Sequence, residues 1–339
     1  METTDTQPRS ALPHSSTPGS APLARAMSLV LLLISALVIL ATAYHANRLR
    51  TENLTNHRIF AEGLARIGER EVTQTLQSID RLLGARLDDW IATEDVDASG
   101  FGKLLARDLT GLPAARTLSI VSGTGHIAAD SSGKSIDRPL AQGALDELRG
   151  TTEGPTVIIS RPWRGHDLGD GEPTHDRIDT SHSAYFFTMS RKDDRNGSNT
   201  LAVATINPDA FSGFLSSVAG RPEYVIELYR YDGTLLMSTR PQSNMPGSSE
   251  TSQPIFSHLL PDNEIGVVDD PNGGDPQMIA YRSSRQYPLV IEVRVSHDQA
   301  LSGWRTEIRN LSVVAGLSLL LIGLVASLLH RYNRRRGVE

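Results

Sequence analysis

Residues 118–131, LSIVSGTGHIAADS, and residues 226–239, IELYRYDGTLLMST, carry one pattern twice, 108 positions apart. In each copy a short β-type run meets a turn built around glycine, Gly125 in the first and Gly233 in the second, and another short apolar run follows. Such runs on either side of a glycine turn predict β-hairpins. A further match comes in the same order: NPDAFSGF at 207–214 lies over HDQALSGW at 297–304. Ala, Ser and Gly coincide there, and Phe211 and Phe214 meet Leu301 and Trp304. Two matches in one order predict a duplicated unit of roughly 90–110 residues.

Outward from the hairpins, strands are predicted at 157–160, 184–191 and 200–206 in the first copy and at 264–268, 277–283 and 289–295 in the second. Asp194–Gly197 (DRNG) reads as the turn between the second and third of these. Helices are expected over 137–148, with Leu140, Ala144, Leu145 and Leu148 on one face, after Pro208-Asp209, near 253–260, and from His297-Asp298 onward. Upstream, Leu64, Ile67, Val72, Leu76, Ile79, Leu83, Leu87 and Trp90 recur mostly three or four apart. That spacing predicts a helix from Ala46 to about Ile91, either one long stalk or two helices bent near Gly63 or Gly68. Its apolar stripe needs a partner, in the outer domain or in a second copy of the chain.

Two uncharged runs flank all of this: Met27–Tyr44 (MSLVLLLISALVILATAY) and Leu311–Leu329 (LSVVAGLSLLLIGLVASLL). The first would be about 27 Å long as a helix, close to the hydrocarbon thickness of a bilayer. Both are read as transmembrane helices. Arg331, Arg334, Arg335 and Arg336 after the second run, and Arg25 before the first, set both termini in the cytoplasm by the positive-inside rule. The main domain then lies on the far side of the inner membrane. Ala41-Thr42-Ala43 also resembles a signal-peptidase site, so cleavage of the first run is the alternative. Gly316, Gly323 and Ser327 lie near one face of the second run and suit a helix–helix seam or are ordinary membrane-helix residues.

Composition removes whole classes of function. A net charge of −6 over 339 residues argues against a generally nucleic-acid-binding surface. The chain has no cysteine, hence no disulfide, thiolate metal site or cysteine nucleophile. No phosphate-cradling loop, zinc-protease helix or nucleophile elbow is present, so no enzyme activity and no cofactor are expected.

A long helix emerging from the membrane, two tandem α/β units and a last helix into a second span resemble the double Cache sensor family of bacterial signal-transduction proteins. The resemblance covers roughly residues 46–310. Three stretches support it: TLQSIDRLL at 75–83, Ser135-Ile136-Asp137-Arg138-Pro139, and Ala280-Tyr281-Arg282 followed by Tyr287-Pro288-Leu289-Val290. It implies an α+β fold in which a long N-terminal helix carries two tandem PAS-like antiparallel sheets, flanked by the two transmembrane helices. The expected organisation is a disordered tail (1–26), a span (27–44), a stalk helix (46–92), a membrane-distal unit (93–220), a membrane-proximal unit (221–298), a connecting helix (299–310), a span (311–329) and a basic tail (330–339). The implied function is a sensor that binds a small organic ligand, a carboxylate among the candidates, and relays the signal to an effector. That effector is expected on a separate protein, because the chain ends ten residues after Leu329. A homodimer is expected from the stalk stripe. The alternatives are a membrane-anchored interaction module and the sensor fragment of a split kinase or cyclase.

Arg138 is the first candidate for ligand contact, since an arginine on a pocket helix can clamp a carboxylate with two charge-assisted hydrogen bonds. It can equally be a helix-start arginine paired with Asp137. Arg161, Trp163, Tyr185 and Phe187 are further candidates by strand alternation, with core packing the competing role of the aromatics. Thr205 stands roughly where the family's amino-acid-binding members carry an aspartate, which argues against an amino acid ligand. The stretch Gly165–His182 is dense in possible metal ligands (His166, Asp167, Asp170, His175, Asp176, His182), but it matches no strong spacing, so no metal is expected. Asp269–Asp275 reads as a polar turn rather than a calcium loop.

Overall fold

The computed structural model describes residues 20–93, 97–150, 156–174, 176–181, 184–193, 199–240, 244–260, 262–270 and 276–336. The predicted turn at 194–197 and most of the 269–275 segment lie outside these residues. The chain divides into two compact units, one formed by the residues up to Asn53 and from Leu301, the other by Leu54–Ala300.

The stalk is a single helix. α1 runs from Ser20 to Ala92 without a break at Gly63 or Gly68. α2 (Ala98–Leu109), which the sequence pattern did not suggest, starts on Asp97, whose carboxylate accepts from the Ser99 and Gly100 amides. The first sheet is built from β1 (Ala115–Val121), β2 (Ile127–Asp130), β3 (Val157–Ile159), β4 (Trp163–Arg164), β5 (Glu172–Pro173), β6 (Tyr185–Lys192) and β7 (Leu201–Ile206). Its order is β2-β1-β7-β6-β4-β5, with β3 also on β6, and all pairs are antiparallel. α3 (Gln142–Arg149) lies between β2 and β3 in sequence, and α4 (Pro208–Ala219) follows β7. α4 starts as its sequence dictates, with Asn207 capping and Pro208 in the first turn, and stops at Gly220 in a left-handed conformation.

The second sheet holds β8 (Val225–Arg230), β9 (Leu235–Ser238), β10 (Ile265–Asp270), β11 (Gln277–Ser283) and β12 (Leu289–Ser296) in the order β10-β11-β12-β8-β9, again antiparallel. The helix expected near 253–260 is a short π-helical segment, Ile255–Leu259. After β12 come α5 (His297–Ala300) and α6 (Ser302–Arg336).

The duplication extends to single hydrogen bonds. Leu118 N–H donates to Ser131 Oγ at 3.0 Å, and Ile226 N–H to Thr239 Oγ1 at 2.9 Å. The ladders β1–β2 and β8–β9 both slip register at the same place, between Ile120 and Val121 and between Leu228 and Tyr229. Gly125 and Gly233 take φ of 86° and 78° in the two turns.

The stripe on α1 finds its partner within the same chain. Ala61, Leu64, Val72, Leu76, Ile79, Leu83 and Leu87 are buried in one apolar cluster with Leu118, Ile120, Phe187 and Ala204 of the first sheet and Ile226, Leu228, Ile291 and Val293 of the second. Each fully buried aliphatic side chain there stabilises the fold by about 1.5–3 kcal/mol. Each sheet therefore turns one face to α1 and leaves the other for a second layer.

In the other unit, α1 and α6 are each long and apolar enough to cross a membrane. Leu29, Leu32, Leu33, Leu37 and Leu40 on α1, and Leu317, Leu320 and Leu321 on α6, are more than half exposed. Trp304 Nε1 donates to the Ala46 carbonyl at 2.9 Å.

One helix differs from its predicted span. The segment 137–148 is helical only from Gln142, because Asp137 takes a left-handed φ of 61° and the chain runs back along β2. Ile127 N–H donates to the Arg138 carbonyl at 3.0 Å, and His126 bridges to Pro139. Arg138 is therefore not on a helix.

Candidate ligand-binding site

The outer face of the first sheet, the one turned away from α1, is lined by Thr117, Ser119, Thr188, Ser190, Val203 and Thr205, with Trp163 and Phe186 beside them. Its polar side chains are almost wholly buried, which is costly unless each finds a partner. Most do. Thr205 Oγ1 lies 2.7 Å from Thr117 Oγ1 and accepts the Thr117 amide at 2.9 Å. Ser119 donates to Asp130 at 3.0 Å, and Ser190 to the Leu148 carbonyl at 2.6 Å. Two do not: Thr188 Oγ1 and Trp163 Nε1 are buried without a hydrogen-bond partner among the described residues. Thr188 pairs with Thr205 across β6–β7, and Trp163 with Phe186 across β4–β6, so both unpartnered groups belong to this face.

A roof closes over it. Ala144, Leu145 and Leu148 of α3, together with Leu168 from the loop after β4, form one buried cluster with Trp163, Phe186 and Val203. The Trp163 and Phe186 rings sit 5.8 Å apart. Further along, between β5 and β6, buried Ile178 donates its N–H to the Pro246 carbonyl at 2.8 Å. The acids of this loop serve its own backbone: Asp170 accepts the His166 and Asp167 amides, and Asp167 accepts the Gly169 amide. His175 and His182 lie outside the described residues.

The six sequence candidates are thus only partly gathered. Trp163 and Thr205 share the outer face. Phe187 has the opposite strand parity and is buried in the cluster with α1. Tyr185 shares that parity, its backbone carbonyl accepts from Arg116, and burial pushes its hydroxyl well above the ordinary tyrosine range. Arg138 is exposed on the loop before α3. Arg161 points its guanidinium at Asp232, 3.5 Å away, near the Arg230–Glu147 pair at 3.4 Å. Thr188 was missed, since a threonine inside the run YFFTMS carries no signal of its own.

The second sheet has an outer face too, and it is charged. Glu227 and Glu292 stand directly opposite each other on β8 and β12, 1% and 0% exposed. Arg294 serves both, with Nε 2.8 Å from Glu227 Oε2 and one Nη 2.8 Å from Glu292 Oε2. Tyr229 hydroxyl donates to Glu227 at 3.0 Å and accepts from Asn244 and Arg294. Burial pushes the Glu292 carboxyl up to about 7, with Arg294 opposing and Glu227 reinforcing the rise. An open cleft of about 530 Å³ lies over this network, lined among others by Glu227, Asn244, Glu250, Gln277 and Arg294. Charged residues inside the apolar strands VIELYR and LVIEVRVS were the sequence signal for it.

No protein-family profile and no curated protein sequence matches this chain. Solved structures do. The extracellular domain of rpHK1S-Z16, assigned as a histidine kinase, superposes with a TM-score of 0.58 at 22% identity, covering 74% of this chain and 99% of that one. The periplasmic sensory domain of the Campylobacter jejuni chemoreceptor Tlp1 gives 0.54 at 11%, covering 74% and 98%. The ligand-binding domain of the Pseudomonas aeruginosa PAO1 amino acid chemoreceptor PctB, in complex with L-Gln, gives 0.50 at 12%, covering 72% and 92%. At these identities the likeness is one of fold. The chain has the Cache-like fold of extracellular and periplasmic sensory domains: two antiparallel sheets on one long helix.

Proposed function

We propose that this chain is a two-pass inner-membrane sensor whose extracytoplasmic region binds a small organic ligand on the outer face of the first sheet and relays the change through its spans to an effector across the membrane. One observation carries the reading. Thr188 Oγ1 and Trp163 Nε1 are buried and unpartnered beneath a roof held by α3 and the loop after β4. Unmet hydrogen-bonding groups cost about 1–3 kcal/mol each, and a ligand that satisfies them recovers that cost. The groups offered are a hydroxyl, which can donate or accept, and an indole N–H, which only donates. A ligand with an acceptor oxygen fits both. Thr205 gives an ammonium group no carboxylate partner, and the acid that is on this face, Asp130, already accepts from Ser119 and Ser132, so the amino acid seen in the PctB complex is not the ligand expected here. Signalling would follow from differential affinity for two states of the roof. Small residues on the second span, Gly316 and Gly323, suit pairing with a second copy.

A second reading is a membrane-anchored interaction module, favoured by the dense packing of Trp163, Phe186 and Leu168 on this face. Thermal unfolding of the full chain in detergent, against a library of carboxylates, amines, amino acids and purines, separates the two. A ligand at 100 times its Kd stabilises a fold by about 2.7 kcal/mol. The sensor reading expects a hit that Thr188→Val and Trp163→Phe weaken. Absence of any hit sinks it in favour of the interaction module.

A further inference from the structure

We propose that His57 is a proton-responsive latch between the stalk helix and the exit toward the second span, so that the chain answers to external acidity as well as to its ligand. This role rests on the region lying outside the inner membrane, and not on the face beneath α3. His57 stands on α1, and its Nδ1 lies 2.5 Å from the Tyr224 hydroxyl. Its ring is also hydrogen-bonded to the Ala300 backbone. Tyr224 comes just before β8, and Ala300 closes α5, with α6 starting at Ser302. Tyr224 and Ala300 are both buried in the apolar cluster that α1 shares with the second sheet. One imidazole thus ties three segments together: the stalk helix, the entry to the second sheet and the end of α5. The rings of Phe60 and Tyr224 sit 4.9 Å apart, and the Arg221 guanidinium lies 5.9 Å from the Phe60 ring centre.

This setting suits a neutral imidazole. The charged groups that face the ring are Arg221 and Glu223, both from the connection between α4 and β8. Burial first and the Arg221 charge second push His57 below the ordinary histidine value of 6.5, with Glu223 and the Ala300 backbone opposing. Burial pushes the Tyr224 hydroxyl up to about 12, so it keeps its proton and can donate to a neutral ring. An imidazolium has no acceptor left for that hydroxyl, and it sets a second cation beside Arg221. The folded chain therefore holds the His57 proton less tightly than the unfolded chain does. The resulting cost is absent above pH 6.5, grows as the pH falls through 6.5 and is complete below the folded value. Acid loosens the tie of Ala300 to α1, and neutral pH restores it. The proton thus biases a two-state contact in the pH range where a histidine changes charge. The Trp304–Ala46 bond, which also joins α6 to α1, contains no titratable group.

The chain has no cysteine, so Arg50→Cys on α1 and Arg309→Cys on α6, both at exposed positions, give two unique sites for spin labels. Pulsed EPR on the full chain in detergent, diluted with unlabelled chain, reads the distance between the two helices from pH 8 to pH 5. That distance is expected to change with a midpoint below pH 6.5. Arg221→Gln should raise the midpoint, and Glu223→Gln should lower it. His57→Gln keeps a polar side chain but takes no proton. It should hold the neutral-pH distance at pH 5, with thermal unfolding at pH 8 showing the fold intact. Glu292 also takes up a proton in this window, and these variants leave it in place. The proposal is overturned if the distance does not change with pH, if His57→Gln shows the same change, or if Arg221→Gln leaves the midpoint where it was. A ligand hit in the thermal library without a pH response would sink the latch and spare the sensor reading. A His57-dependent pH response without any hit would do the reverse.

Discussion

Ser238 donates its hydroxyl to Glu227 at 3.2 Å, and the pair repeats, with acid and alcohol exchanged, the Ser119–Asp130 bond at 3.0 Å one unit earlier. Both bonds cross the same hairpin at the same rung, Ser119 opposite Asp130 and Glu227 opposite Ser238. The duplicated fold conserved the need for a buried acid–hydroxyl pair but not which strand carries the acid. In the second unit the acid sits on the inner strand β8, where it meets Glu292 and Arg294. That exchange puts charge in the middle of the second sheet's outer face.

The two hairpin turns should respond alike to a side chain. Gly125 and Gly233 both hold positive φ, which an L residue adopts at a cost. Gly125→Ala and Gly233→Ala should each lower stability by about 1 kcal/mol. The second should cost more, because its Cβ would lie 3.1 Å from a backbone nitrogen, that of Thr251, whereas at Gly125 the nearest atom is a movable Leu145 methyl at 3.0 Å. Thermal unfolding of the two variants reads the order directly.

Two glycines of α1 should behave oppositely. A Cβ at Gly63 meets nothing within 4 Å, so Gly63→Ala should gain the helix propensity of alanine, about 0.8–1 kcal/mol, and raise the unfolding midpoint. A Cβ at Gly68 meets Leu215 at 3.1 Å and Ile291 at 3.3 Å. Gly68→Ala should lose that gain to crowding. Equal stabilisation by both would show that α1 does not press on α4 and β12 at Gly68.

The Glu292 carboxyl should make the fold less stable at high pH. The folded chain holds its proton up to about 7, against an ordinary value of 4.5. The folded state therefore binds that proton more tightly than the unfolded chain does. The resulting stabilisation is full below pH 4.5, declines from there to about pH 7 and is gone above it. Glu292→Gln removes the decline. Its unfolding midpoint relative to the natural chain should rise by several degrees between pH 5 and pH 8. A constant difference across that range would contradict the buried protonated acid.

Thr188→Val should leave the ligand-free fold as stable or slightly more so, because it replaces an unpartnered buried hydroxyl with a methyl of the same shape. A loss beyond about 1 kcal/mol in thermal unfolding would mean that the hydroxyl already has a partner in the free protein.

Much of the fold was readable because it rests on local periodicity. The three-and-four spacing of Leu76, Ile79, Leu83 and Leu87 stated a helix with one apolar face, and the glycine turns stated hairpins. Where reading failed, a long-range contact had overridden local pattern. Asp137 to Leu140 have helical company, yet they pair back on the start of β2 and the turn before it, and Arg138 leaves the expected helix with them. The stretch Gly165–His182 reads as solvated, yet Leu168 and Ile178 within it are buried. The candidate site fared worse than the fold. Strand alternation separates Phe187 from Phe186 but cannot say which of the two faces α1.

The amino-acid sequence alone determined the two apolar helices, the long stalk and the duplication, since hydropathy and spacing are properties of neighbours along the chain. Tertiary structure alone decided which face of each sheet packs on α1 and which is left to bind. It also decided that Glu227, Glu292 and Arg294, more than sixty residues apart in part, become one buried network. The physical reason is that burial turns an ordinary surface charge into one that needs a partner, and burial depends on what the whole chain brings together.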